Sequence, residues 1–128
     1  MCFNQLINNL PNSIIYLKLG LSFNQPINDL PNLITELKLG RNFNQLIDCL
    51  PNSITHLVLG NKFNQLINHL PNSITYLTLG EDFNQPINNL PPLLKKIQIN
   101  KNNKNINKLT FILLIFLFFL FILIYFYY

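Results

Sequence analysis

From the first phenylalanine onward, polar and apolar positions along the chain recur with a period of 20. The units start at Phe3, Phe23, Phe43, Phe63 and Phe83. The first four read FNQLINNLPNSIIYLKLGLS, FNQPINDLPNLITELKLGRN, FNQLIDCLPNSITHLVLGNK and FNQLINHLPNSITYLTLGED. The fifth begins FNQPINNLPPLLKKIQIN and then departs from the pattern. No insertion interrupts the period, and a fixed period of this length is the mark of a stacked repeat. Each unit has a polar half punctuated by proline and an apolar half that alternates. The alternating halves, Ile14–Leu19 and Ile34–Leu39 among them, suit strands with one buried face. Leu17 and Leu19 then point inward, Tyr16 and Lys18 outward.

Pro11, Pro31, Pro51 and Pro71 exclude a regular helix across the other half. Gly20, Gly40, Gly60 and Gly80 close the strands, where a turn with unusual backbone angles is expected. Leu6 gives way to Pro26 at the equivalent place, so that backbone N–H is not needed in a ladder. One short strand cannot bury its own apolar face, but stacked copies make one parallel sheet over one continuous core. Phe3, Ile7, Leu10, Ile14, Leu17 and Leu19, with their equivalents, are the expected apolar columns. Asn4, Asn24, Asn44, Asn64 and Asn84 do not vary, nor do the glutamines that follow them. Such amides fit a ladder that pairs the backbone groups of neighbouring coils better than a binding stripe.

The Phe-Asn-Gln-x-Ile start, followed by Leu-Pro-Asn-Ser-Ile-Thr-x-Leu-x-Leu-Gly, resembles the FNIP repeat, a divergent relative of the leucine-rich repeat. Repeats of this kind are amplified in social amoebae and in giant viruses that infect amoebae. The resemblance covers about residues 3–99. It implies a curved or gently twisted leucine-rich-repeat-like stack used for protein–protein contacts. The unit is slightly shorter than the commonest FNIP spacing, so a tighter turn half is expected. No F-box stands ahead of the repeats in these residues, and an adaptor role in ubiquitination is not expected.

The expected fold is therefore a β-leaning repeat solenoid, a leucine-rich-repeat-like stack of five 20-residue units with one parallel sheet, over residues 3–100. A basic Asn/Lys linker follows at 101–108 and a transmembrane helix at 109–128. That last stretch reads LTFILLIFLFFLFILIYFYY. As a helix it spans roughly 30 Å, the thickness of a bilayer's hydrocarbon core. Tyr125, Tyr127 and Tyr128 suit one interface, and Lys101, Lys104 and Lys108 suit the cytoplasmic side. The expectation is a single-pass, C-terminal tail anchor with the repeats facing the cytosol. Two alternatives stay open: a truncated or decayed repeat copy without a binding role, and a soluble repeat protein whose tail packs internally.

Composition changes this picture in one respect. The chain of 128 residues has a net charge of +4. From Met1 to Leu94, four basic residues meet five acids, giving −1, and five lysines follow from Lys95 to Lys108, giving +5. The basic charge is one short block running into the linker and not a patch spread over the folded part, so nucleic acid is not an expected partner. Cys2 and Cys49 form neither a metal spacing nor a disulfide framework. No Asn-x-Ser/Thr sequon occurs, which favours a cytosolic face.

The outward strand positions vary most between copies. They are Tyr16, Glu36, His56, Tyr76 and Lys96 in one column, and Lys18, Lys38, Val58, Thr78 and Gln98 in the next. A recognition face has this pattern, and so do unconstrained solvent positions. The candidate protein-binding face is Tyr16, Lys18, Glu36, Lys38, His56, Val58, Tyr76 and Thr78, with Tyr16, His56 and Tyr76 as aromatic anchors. No catalytic constellation or phosphate loop occurs, and the carboxylates pair in no obvious way. His56 and His69 lie at different repeat positions, without a second ligand at a telling spacing. An enzyme, a cofactor, a metal and a small-molecule substrate are therefore not expected. A stack without a polar cap at its N-terminal end exposes core, which leaves end-to-end self-association as an expectation.

Overall fold

The computed structural model describes residues 3–99. Five short strands, β1 (Tyr16–Lys18), β2 (Glu36–Lys38), β3 (His56–Val58), β4 (Tyr76–Leu79) and β5 (Lys96–Ile99), form one sheet in chain order. All neighbours are parallel and offset by one unit: Leu17 faces Leu37, Leu37 faces Leu57, Leu57 faces Leu77, and Leu77 faces Ile97. The expected parallel-sheet solenoid is therefore what the chain forms, with four full turns of coil between β1 and β5. The transmembrane helix expected at 109–128, the linker expected at 101–108 and residue 100 lie outside the described residues. Among the described residues no helix is long and apolar enough to cross a membrane.

Two features differ from the expectation. A leucine-rich repeat pairs its strand with a helical segment, whereas these coils are strand and turns alone among the described residues. The strands also run three or four residues, not the six that alternate. The first residues of each alternating stretch belong to a turn, in which Ile14 N donates to Pro11 O at 3.2 Å and Ile54 N to Pro51 O at 3.2 Å. The strand begins only beyond that turn.

The apolar columns form as expected. Phe23, Phe43, Phe63 and Phe83 are fully buried, and neighbouring rings stack with centroids 6.0–6.2 Å apart and planes within 8°. That is the offset arrangement aromatic rings prefer. Burying each ring contributes roughly 1.5–3 kcal/mol. Ile34, Leu37, Ile54, Leu57 and Ile74 join them at the centre. At the first coil, Ile7, Leu10, Ile14 and Leu17 are only partly covered.

The amide ladder is present too. Asn24 N donates to Asn4 Oδ1 at 2.8 Å, Asn44 N to Asn24 Oδ1 at 2.8 Å, Asn64 N to Asn44 Oδ1 at 2.9 Å, and Asn84 N to Asn64 Oδ1 at 2.8 Å. Each following glutamine Nε2 reaches back to the same asparagine: Gln45 donates to Asn24 O at 3.2 Å and Gln65 to Asn44 O at 3.1 Å. Hydroxyls add a second line. Thr35, Thr55 and Thr75 Oγ1 donate to the carbonyls of Ile15, Thr35 and Thr55, and Ser53 and Ser73 Oγ to those of Ile34 and Ile54. Coils this thin have no interior to hide a backbone group, so each coil satisfies the one before it.

The glycines are right in place but for another reason. None has a positive φ; among the described residues the left-handed ones are Asn9 (φ 62°) and Asn89 (φ 54°). A Cβ on Gly40 would lie 2.0 Å from Gly20 O, and one on Gly60 or Gly80 would meet the preceding glycine's carbonyl at the same distance. Close approach between coils, not a turn conformation, requires glycine here.

Candidate interaction surface

Each strand sends its second residue inward and its first and third outward, so the exact repeat turns the outward positions into two straight columns. The register aligns Tyr16, Glu36, His56, Tyr76 and Lys96 in one and Lys18, Lys38, Val58, Thr78 and Gln98 in the other. All eight candidate residues therefore lie on one face. Tyr16 and Tyr76 are the exposed aromatics, at 47% and 41% of full exposure. Lys18 is exposed, while Glu36, Lys38, His56, Val58 and Thr78 are half-buried.

These side chains are organised by their neighbours on adjoining coils. Lys38 Nζ sits 5.2 Å from the centroid of the Tyr16 ring, a cation–π geometry, and 4.0 Å from Glu36 Oε2. The His56 and Tyr76 rings stack at 4.5 Å with 16° between planes. His56 Nδ1 lies 2.8 Å from Thr55 Oγ1, which fixes the ring from below. The face thus has a charged end built around Tyr16, Glu36 and Lys38 and an aromatic block built by His56 and Tyr76. Val58 and Thr78 give that block a small, smooth margin. Flat aromatic area beside a few placed charges is the chemistry that anchors protein interfaces.

The opposite side of the coil carries a pairing that the sequence reading passed over. His69 Nδ1 lies 3.5 Å from Asp48 Oδ1. Cys49, an exposed free thiol, occupies the same unit position as His69 and Asp29. The signal was the interval itself. In this solenoid a separation of 20 or 21 places two residues at neighbouring points of adjoining coils, and Asp48 and His69 are 21 apart. Among the described residues no three His, Cys, Asp or Glu side chains come together to hold a metal ion. The asparagine stripe is no rival site either, because its Oδ1 atoms are taken by the backbone of the next coil.

The sequence model of the FNIP Repeat matches the chain in four overlapping stretches, residues 3–29, 23–62, 46–82 and 63–102. No curated protein matches the chain. The invariant Phe-Asn-Gln corner, its amide ladder and the strand that follows are thus one family's unit repeated along most of the sequence, and the chain belongs to the FNIP repeat family.

Proposed function

We propose that the chain is a membrane-tethered, non-enzymatic module that binds a protein partner through the outward face of its sheet. The observation that carries this reading is the contrast between scaffold and face. Phenylalanine, asparagine and glutamine recur unchanged through all five units, and glycine through four, while the outward columns hold a different residue on nearly every coil. Two aromatic side chains there, Tyr16 and Tyr76, stay exposed. The partner that fits is a protein surface offering an apolar strip for Tyr76 and His56 and a carboxylate for Lys18 or Lys38.

The tether is read from residues 109–128 and from the lysines before them. A segment of 20 residues with Thr110 as its one clearly polar member before the closing tyrosines is long enough to span, and basic residues ahead of it favour a cytosolic repeat domain. The membrane-bound chain and a variant carrying Tyr16→Ala, His56→Ala and Tyr76→Ala are compared for co-purifying proteins. Loss of a partner in the variant is the expected result, and an unchanged partner set removes the proposed face. Alkaline carbonate extraction of the same membranes leaves the chain in the pellet; release into the supernatant removes the tether.

A further inference from the structure

The first described coil presents apolar side chains at places where the later coils carry polar ones, the reverse of a polar capping face. Where later coils carry Thr35, Thr55 and Thr75, it carries Ile15, which is 60% exposed. Where they carry Arg41, Asn61 and Glu81, it carries Leu21, which is 71% exposed. Phe3 is 51% exposed, against none for the four phenylalanines above it. Lys18 is the one charged residue between Phe3 and Ser22.

Those threonine hydroxyls each donate to a carbonyl of the preceding coil. Ile15 has no hydroxyl to give, so its place is suited to an apolar neighbour and not to another coil in the same register. Stacking the fifth coil of a second copy onto this end would also set Ile15 against Lys95, its equivalent. Head-to-tail growth is disfavoured on both counts.

We propose that this N-terminal face is an isologous interface, which joins two copies of the chain head to head across a two-fold axis. The strand edge has the geometry for it. In β1 the middle residue pairs with β2, so the N–H and C=O groups of Tyr16 and Lys18 face the open end. Two such edges brought together antiparallel about Leu17 make Tyr16 and Lys18 of the second copy a hydrogen-bonded pair. The same holds for Lys18 and Tyr16, and Leu17 meets Leu17 as the non-hydrogen-bonded pair between them. Each lysine then lies across from a tyrosine ring, the contact Lys38 already makes with Tyr16, and the two lysines avoid each other. Ile15, Leu21 and Phe3 add the apolar rim. A standard interface takes roughly 20–30 residues per side, which is about one coil. A two-fold contact closes on itself and stops at the dimer.

This interface shares Tyr16 and Lys18 with the sheet face proposed for the partner, but its test varies Ile15 and Leu21, which are not part of that face, so the two readings can fail separately. The full chain in mild detergent, from about 1 to 100 µM, is followed by sedimentation velocity. A reversible dimer is expected, and its dissociation constant rises about tenfold or more in Ile15→Thr with Leu21→Asn. Both substitutions install residues that other coils carry, and an unchanged circular dichroism spectrum verifies the fold. Leu46→Asn, on the side of the coil, leaves the dimer unchanged. A monomer throughout this range overturns the proposal. So does a dimer indifferent to the double substitution, or a species whose mass keeps rising with concentration.

Discussion

At the scale of single residues, the coil's most telling position is the glycine that closes each strand. Its recurrence was legible in the sequence, but its cause was not, because a left-handed turn and a close backbone approach leave the same mark in a sequence. The structure separates them by giving the same residue two environments. A Cβ on Gly20 meets nothing within 4 Å, whereas one on Gly60 meets Gly40 O at 2.0 Å and its carbon at 2.5 Å. Those atoms are backbone and cannot swing aside. Gly60→Ala is expected to destabilise by about 1–3 kcal/mol or more, and Gly20→Ala by no more than about 0.5 kcal/mol. Urea unfolding of the two variants checks this, and equal midpoints would return the argument to turn geometry. Asn44 gives a second test. It holds Asn64 N and Gln65 Nε2 together, so Asn44→Ala leaves a donor unpaired in a half-buried place and costs about 1–3 kcal/mol. Asn44→Asp keeps the acceptor and, in the same denaturant series, recovers most of that loss.

The strand is the element whose length the alternating pattern overstated. Alternation of apolar residues continues through Ile14 and Ile15, but Ile14 N closes a turn onto Pro11 O. Side-chain pattern reports which way a residue points, and it does so in a tight turn as well as in a strand. The register, by contrast, was fully legible, since five copies without insertion allow only one in-line stacking. So were the members of the outward columns; their contacts were not, because the Lys38–Tyr16 and His56–Tyr76 pairs depend on rotamers chosen across coils. Strands this short contribute little alone, and the exposed rings on them contribute less. Tyr76→Ala removes one stacked partner from His56 and is expected to cost about 0.5–1.5 kcal/mol. Its thermal midpoint therefore falls only slightly, and a loss of partner binding in the same protein reports on the face and not on folding.

Over the whole molecule, the solenoid is one-dimensional: each coil touches only the coils before and after it, as the neighbour-only pairing of β1 to β5 shows. Stability is then a sum of coil and interface terms, and a defect's effect depends on where it sits in the row. The phenylalanine column makes the comparison clean, because the residue is the same at every site. Phe43 is fully buried with a stacked ring on each side, Phe23 and Phe63. Phe3 is half exposed with one ring neighbour, Phe23. Phe43→Ala opens a cavity at the centre, costs about 3–5 kcal/mol, and weakens two interfaces together. Phe3→Ala removes a ring that water already reaches, and about half that cost or less is expected. Hydrogen exchange distinguishes more than magnitude. In Phe43→Ala the ladder amides of Leu39 and Leu59, which bond Val58 O and Thr78 O, lose protection together. In Phe3→Ala the loss is confined to the first coil, at Leu19 N and its bond to Lys38 O. Uniform loss along all five coils in both variants would mean that the stack unfolds as one unit, and the nearest-neighbour account of its stability would fail.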